Sequence, residues 1–186
     1  MEGGHSAVIS RCGVAELIAV EARVDNYVRA CVIGNVLGLR NTRFCFDDAR
    51  RVTRQTYGEF DVVFCLGVLY HLPDPDTLLA NLAELAPVVL VSTHYADEAQ
   101  PSGDAPNLAI ETRWGPFYGR RYDEGGLTDP LSGVDAWSFW PFRDELLRLC
   151  RDAGFESATV IYDRPDESTA GRPLINLVLR TSTAPD

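Results

Sequence analysis

Residues 60–75, which read FDVVFCLGVLYHLPDP, decide the fold of this chain. Within them, residues 62–66 form a short apolar run without helical periodicity, which predicts a strand buried on both faces. Gly67 follows at the carboxyl end of this strand and lets backbone or a ligand approach closely. Because open α/β sheets bind ligands at the carboxyl ends of their strands, residues 65–71 are the first candidate for a functional site.

Strand and helix patterns alternate on either side of this stretch. The predicted strands are residues 16–21, 42–46, 62–66 and 87–92, and the predicted helices are residues 7–11, 24–37 and 76–85. Pro73 and Pro75 exclude helix until after Asp74, so the third helix should begin near Asp76. The alternation predicts βαβ units and an α/β fold with a mostly parallel sheet.

The C-terminal part of the chain predicts a different end to the sheet. A helix is expected over residues 141–153, followed by strands over residues 155–162 and 174–180. The connection between these two strands is short and polar, so we expect them to pair as an antiparallel hairpin.

Residues 96–140 interrupt the alternation. This segment is rich in Gly, Pro and aromatic residues and has little periodicity. A loop of this length inside a compact domain is usually a lid or a binding loop. A disordered insertion is the alternative, but the aromatic content favours a folded lid.

Composition sets the class of protein. The 186 residues are 46% hydrophobic and carry a formal net charge of -10, which indicates one globular domain over residues 1–186 and argues against a nucleic-acid partner. The five cysteines are scattered without a CxxC pair, which predicts a reducing, cytoplasmic location and no metal site. We expect neither a signal peptide nor a membrane-spanning segment.

Several short motifs together resemble a known family. They are Glu21 after one strand, Asp48 after the next, FDVVFCLGVLYHL at residues 60–72, THY at residues 93–95 and AGF at residues 153–155. In this set the sequence resembles the class I S-adenosylmethionine-dependent methyltransferases over nearly its whole length. It is most similar to the branch of tRNA wobble-uridine carboxymethyltransferase-like and related small-molecule methyltransferases. The resemblance implies a Rossmann-like sheet and S-adenosylmethionine as the cofactor.

The resemblance implies roles for two acidic residues in binding the cofactor. Glu21 would accept hydrogen bonds from the ribose hydroxyls, and its alternative is a solvated charge at a strand end. Asp48 would accept from the adenine amino group, with the Ala49 amide nearby. The alternative for Asp48 is an N-cap of the turn at Ala49, and the two roles are compatible.

The resemblance places the remaining cofactor contacts in two short segments. The N-terminal segment would be the end of a Gly-rich turn, and the backbone after the central strand would line the methionine part. The residues are Gly3, Gly4, His5, Cys65, Leu66, Gly67 and Tyr70.

A general base is needed when the methyl acceptor is a hydroxyl or an amine. The candidates are His71, His94 and Tyr95, because histidine titrates near neutrality and all three follow strand ends. For His71 the alternative is a packed residue that caps the following turn. Methyl transfer otherwise depends mainly on alignment in a dry pocket.

The N-terminus departs from the family pattern, since the first strand and most of the Gly-rich turn are not in the sequence. We weigh three explanations: a fragment or misassigned start, a strand supplied by a partner or by a second copy in a homodimer, or a degenerate relative. An absent central strand would leave open strand edges, so we expect the chain as given to bind the cofactor poorly.

Two functions follow from the sequence. The first is methyl transfer from S-adenosylmethionine to a small-molecule acceptor. The second is a methyltransferase-like protein without catalysis that acts as a partner or structural subunit. Glu21, Asp48 and the segment around Gly67 favour the enzyme, whereas the departure at the N-terminus favours the second function.

Overall fold

The computed structural model describes residues 3–99, 105–126, 129, 131–165 and 172–184. By its internal contacts the chain divides into two compact units, Met1–Val52 and Thr53–Asp186. The helices and strands are α1 (Gly4–Ser10), β1 (Leu17–Glu21), α2 (Val24–Leu37), β2 (Thr42–Phe46), α3 (Arg54–Tyr57), β3 (Val62–Leu66), α4 (Pro75–Leu85), β4 (Val88–His94), β5 (Asn107–Thr112), β6 (Gly115–Asp123), β7 (Trp137–Pro141), α5 (Arg143–Asp152), β8 (Ser157–Arg164) and β9 (Leu174–Arg180).

The first unit contains one parallel strand pair. β1 and β2 pair in register from Leu17 opposite Thr42 to Glu21 opposite Phe46, and α2 connects them. This strand–helix–strand unit is the arrangement that the alternating pattern predicted. Its two strands end at the same edge, so Glu21 lies at the carboxyl edge of the pair.

The second unit contains a four-stranded sheet in the order β3-β4-β9-β8. β3 and β4 are parallel, while β9 pairs antiparallel with both β4 and β8. The α/β fold and the C-terminal antiparallel hairpin predicted from the sequence are therefore confirmed.

The core of the second unit lies between this sheet and two helices. Alternate residues of β4 and β9 are buried, and α4 and α5 bury leucines. The largest contributors with almost no exposed surface are Leu78, Leu79, Leu85, Val89, Leu146, Leu149, Ile175, Leu177 and Leu179. Burial of this many large aliphatic side chains is the main force that holds β3 and β4 in place.

One prediction about β3 is wrong. The strand was expected to be buried on both faces, but Val62 and Phe64 are 39% and 40% exposed, whereas Cys65 is buried. Within the residues that the structure describes, β3 is at the edge of its sheet and pairs with β4 alone. A short apolar run does not distinguish an edge strand from a central one.

The aromatic-rich segment contains an antiparallel sheet of three strands, in the order β5-β6-β7. Phe117 and Phe139 are fully buried in it. The described residues of this segment therefore form regular structure. β7 is also tied to the chain after β3, because the Phe139 N–H donates to the Leu72 carbonyl at 2.9 Å.

Two smaller points concern the helices. α4 begins at Pro75, one residue before the predicted start, with the proline in its first turn, where its missing N–H costs nothing. Within the part of the chain that the structure describes, no helix has the length and apolar character needed to cross a membrane.

Candidate functional site

The chain makes a tight turn directly after β3. Gly67 has a φ of 72°, a left-handed conformation that favours glycine, and its N–H donates to the Ser92 carbonyl of β4 at 2.9 Å. A single 3-10 turn, Leu69–His71, follows, with Leu69 buried. The Trp140 indole N–H donates to the Tyr70 carbonyl at 2.7 Å, so β7 fixes the backbone of this turn.

His71 is bound to a carboxylate on another element. Its Nδ1 lies 3.1 and 3.2 Å from the two carboxylate oxygens of Glu124, just after β6. Glu124 also accepts from Ser132 Oγ and from the Gly133 N–H, both at 2.7 Å. Burial alone would raise the pKa of Glu124, but the hydrogen bonds from His71, Gly133 and Ser132 outweigh it and lower the pKa to about 2.

The protonation of the His71 ring follows from this contact. Because Glu124 is ionised, it can only accept, so Nδ1 of His71 donates. In the neutral form of the ring the lone pair is therefore on Nε2, which has no hydrogen-bond partner among the described residues. His71 therefore presents a proton acceptor whose other nitrogen is held by an anion.

His94, at the end of β4, has the same tautomer for a different reason. Its Nδ1 lies 2.9 Å from the Pro173 carbonyl, which can only accept. Burial lowers the pKa of His94, and the nearby Arg172 lowers it further. His94 is therefore neutral, but it is a weaker proton acceptor than a histidine that is paired with a carboxylate.

Five rings form what we call the aromatic cluster: Tyr70, His71, His94, Tyr122 and Trp140. His94 stacks on Trp140 with centroids 5.0 Å apart and an interplanar angle of 10°. Tyr70 contacts both histidines, at 4.2 and 4.5 Å between centroids, and Tyr122 contacts Trp140 at 4.0 Å. The cluster follows the carboxyl ends of two parallel strands, where a ligand site is expected in an α/β sheet.

Tyr95 is not part of this cluster. Its hydroxyl donates to Asp163 at 2.8 Å, and Arg143 Nε donates to the other oxygen of the same carboxylate at 2.6 Å. Burial and the contact with Asp163 raise the pKa of Tyr95. Tyr95 lines a cavity of about 790 Å³ that includes no residue of the aromatic cluster. The structure thus brings His71 and His94 together but leaves the third predicted base apart from them.

The two acidic residues that were predicted to bind the cofactor in the first unit differ in how many of their carboxylate oxygens already accept hydrogen bonds. The Oε1 atom of Glu21 accepts from the Arg23 N–H at 2.9 Å, and Oε2 has no hydrogen-bond partner in the described part of the chain. Asp48 caps the 3-10 turn Ala49–Arg51 by accepting from the Arg50 N–H at 2.9 Å, and it pairs with the Arg50 side chain at 2.6 Å. The side-chain hydrogen bond from Arg50 lowers the pKa of Asp48. The capping alternative for Asp48 therefore holds.

The N-terminal residues form the start of α1. Gly3 precedes the helix with a φ of 83°, and its carbonyl accepts from the Ala7 N–H at 2.9 Å. Gly4 and His5 are the first two helical residues.

The remaining predicted cofactor residues end β3. Cys65 is buried, and burial raises the pKa of its thiol to about 12, so it acts as a small apolar residue and not as a thiolate. Leu66 is the last residue of the strand, and Gly67 begins the turn that leads to His71. Only their backbone groups are therefore suited to the predicted contact with the methionine part of the cofactor.

The fold and its motifs were compared with known proteins. No family model matches the chain. Over 59 residues it is 36% identical to a tRNA U34 carboxymethyltransferase of Nautilia profundicola, a match that covers 32% of this chain and 16% of that protein. The match thus spans about a sixth of that relative's length.

Solved structures match over almost the whole chain. The N-terminal domain of EvdMO1, crystallised in the presence of SAH (S-adenosylhomocysteine) and D-fucose, superposes with a TM-score of 0.80 at 26% identity, covering 97% of this chain and 72% of that one. The complex of DhpI with SAH superposes with a TM-score of 0.58 at 16% identity, covering 98% and 73% of the two chains. These matches confirm the methyltransferase fold that the sequence predicted.

Proposed function

We propose that this chain, a class I S-adenosylmethionine-dependent methyltransferase by its fold, methylates a hydroxyl group of a small, polar, sugar-like acceptor. The observation that carries the proposal is His71: Nδ1 is held by an ionised carboxylate, and within the described residues Nε2 has no partner. Such a nitrogen, in a cluster of rings after the carboxyl ends of β3 and β4, is suited to take a proton from a hydroxyl.

The methyl donor is supported by the solved structures that contain SAH, its product after transfer. When bound, S-adenosylmethionine supplies an activated methyl group on a sulfonium, which needs no further activation by the protein. In the first unit, the Oε2 atom of Glu21 is suited to accept from a ribose hydroxyl. In the second unit, Gly67 has no side chain of its own, and a Cβ atom built there would lie 3.6 Å from the Tyr70 hydroxyl oxygen.

His71 would accept the proton that the acceptor must lose. Bound S-adenosylmethionine would supply the methyl group: an electron pair of the acceptor hydroxyl oxygen would form the O–CH3 bond, and SAH would leave with the electron pair of the S–CH3 bond. The hydroxyl proton passes to Nε2 of His71, and Glu124 stabilises the imidazolium that forms. Water can later remove this proton from the ring, which returns the site to its starting state.

The acceptor class rests on two further observations. Aromatic rings pack against the apolar faces of sugars, and Tyr122, a partly exposed ring of the aromatic cluster that lies against the buried Trp140, is suited to such a contact. The EvdMO1 domain was crystallised with D-fucose as well as SAH, which makes a monosaccharide the first acceptor to try. The net charge of -10 argues against tRNA.

Methyl transfer to a panel of acceptors tests the proposal. The protein is incubated with S-adenosylmethionine carrying a labelled methyl group and with D-fucose, other monosaccharides or bulk tRNA, and products are analysed by mass spectrometry. We expect label in at least one hydroxylated small molecule and none in tRNA. Label in tRNA alone would overturn the acceptor class, and no label in any acceptor together with no SAH binding would overturn the enzyme.

Donor binding has its own test at Glu21. We expect Glu21→Gln to weaken SAH binding by about 1–3 kcal/mol, because a carboxylate acceptor of ribose hydroxyls is replaced by a weaker one. Isothermal titration calorimetry measures this, and Glu16→Gln, five residues earlier on the sequence, is the matched control. Equal affinity of the Glu21 variant and the parent would show that this carboxylate does not contact the donor.

A further inference from the structure

We propose that Glu124 is the positioning residue of this site: with Ser132 and Gly133 it holds the His71 ring so that Nε2 is the atom offered to the acceptor. The inference rests on the proposed function of His71. It assigns a role to the aromatic-rich segment, which supplies the group that orients the base. Glu124 itself is not placed in contact with donor or acceptor.

The first argument is the geometry of the contact. Both carboxylate oxygens of Glu124 lie within 3.2 Å of Nδ1 of His71, so the ring is held at one nitrogen and not at the other. The side chains of His71 and Glu124 are only 20% and 8% exposed, so water competes little for this contact. A carboxylate on Nδ1 fixes the tautomer with the proton there and leaves the lone pair on Nε2.

The second argument is that Glu124 is itself immobilised. Its Oε2 atom accepts from Ser132 Oγ and from the Gly133 N–H, each at 2.7 Å, in addition to the contact with His71. Three donors on one carboxylate leave it little rotational freedom. A carboxylate that served only to balance a nearby positive charge would not need three hydrogen-bond donors to fix its orientation.

The third argument is the close approach of Gly133 to His71. A Cβ atom built on Gly133 would lie 2.9 Å from both the Cβ and the carbonyl oxygen of His71. A side chain at this position would therefore displace the backbone of the 3-10 turn. The residue that donates to Glu124 thus also packs directly against the residue that Glu124 holds.

The other charged and titratable groups around His71 are few. Tyr70 lies beside it on the same turn, and His94 at the end of β4 is electrostatically coupled to it. Arg172 lies over the rings of Tyr122 and Trp140, at 5.9 and 5.4 Å from their centroids. Glu124 is therefore the anion that faces the His71 ring in the described part of the site.

The test uses Glu124→Gln in the whole chain, with nitrogen NMR of the histidine rings and methyl-transfer kinetics. In the parent we expect Nδ1 of His71 to carry the proton and Nε2 to be unprotonated. In the variant we expect a mixture of tautomers and a fall in kcat of about 10- to 100-fold with KM unchanged.

Two further variants make the result specific. Asp123→Asn makes the same change of charge one residue away, on a side chain that is 80% exposed, and should leave tautomer and kcat unchanged. Gly133→Ala should lower kcat while Glu124 is retained, because the added methyl displaces His71. The inference is overturned if Glu124→Gln keeps the parent tautomer, or if Asp123→Asn lowers kcat equally. The tautomer is read without turnover, so this result stands apart from any failure of the proposed methyl transfer.

Discussion

Two side chains that follow neighbouring parallel strands are each held by a carboxylate, yet only one of them is left able to accept a proton. His71 follows β3 and is bound by Glu124, while Tyr95 follows β4 and is bound by Asp163. His71 has two ring nitrogens, so the carboxylate engages one and leaves the other. Tyr95 has a single polar side-chain atom, and it donates its one proton to Asp163.

The partners of the two carboxylates also differ. Glu124 accepts from the neutral groups of Ser132 and Gly133, so its charge remains to stabilise a cation on His71. Asp163 is paired with the Arg143 guanidinium at 2.6 Å, so its charge is already balanced. A position at the carboxyl end of a strand is therefore not enough to make a side chain a general base. The side chain also needs a carboxylate partner whose charge is not already balanced by a cation.

The largest effect should follow from removing the base. We expect His71→Gln to lower kcat by about 10²- to 10⁴-fold, the usual contribution of a positioned general base, while SAH affinity stays within error of the parent. Stopped-time methyl-transfer assays and calorimetry measure the two quantities. His94→Gln serves as the control variant, and a larger loss in kcat there than at His71 would assign the base to His94 instead.

A smaller effect is expected at the second carboxylate pair. Tyr95→Phe removes the hydroxyl that Asp163 accepts and should lower the free energy of unfolding by about 1 kcal/mol. Because Tyr95 is outside the aromatic cluster, kcat should not change. Denaturant unfolding and the same kinetic assay measure both, and a fall in kcat to the level of His71→Gln would show that the two regions are not functionally distinct.

The smallest effect concerns stability and pH at His94. Burial and Arg172 lower its pKa below the ordinary value of 6.5, so the folded state binds this proton less readily than the unfolded state. Stability should therefore fall as pH drops below about 6.5, with the loss complete once the pH is below the folded-state pKa. Thermal melts of the parent and His94→Gln between about pH 7 and pH 5 should diverge in this sense, and parallel curves would contradict it.

Much of the fold could be predicted from the sequence because its signals are local. The helix Val24–Leu37 and the strands Thr42–Phe46 and Leu174–Arg180 have the predicted bounds, since an apolar period or a β-branched run defines each. The strands β5 to β7 were not predicted, because their segment is rich in Gly and Pro and has little periodicity. The exposure of Val62 and Phe64 was not predicted, because it depends on which elements cover the strand, and a short apolar run does not show this.

The site was predictable only in part. His71 and His94 follow strand ends, which are visible in the sequence, but Glu124 lies 53 residues after His71 and is one of many acids in its segment. The sequence also predicts Tyr95 as a candidate base alongside His94. Side chains of successive residues at the end of a strand point to opposite sides, which is why the structure separates them.

A crystal structure of the protein with SAH and a hydroxylated acceptor identified by the transfer assay, D-fucose first, tests the central claim most directly. The quantity is the distance from Nε2 of His71 to the nearest acceptor oxygen. We expect hydrogen-bond contact, about 2.6–3.2 Å, with the sugar against the aromatic cluster. An acceptor bound instead in the cavity beside Tyr95 and Asp163, with no oxygen near His71, would contradict the account.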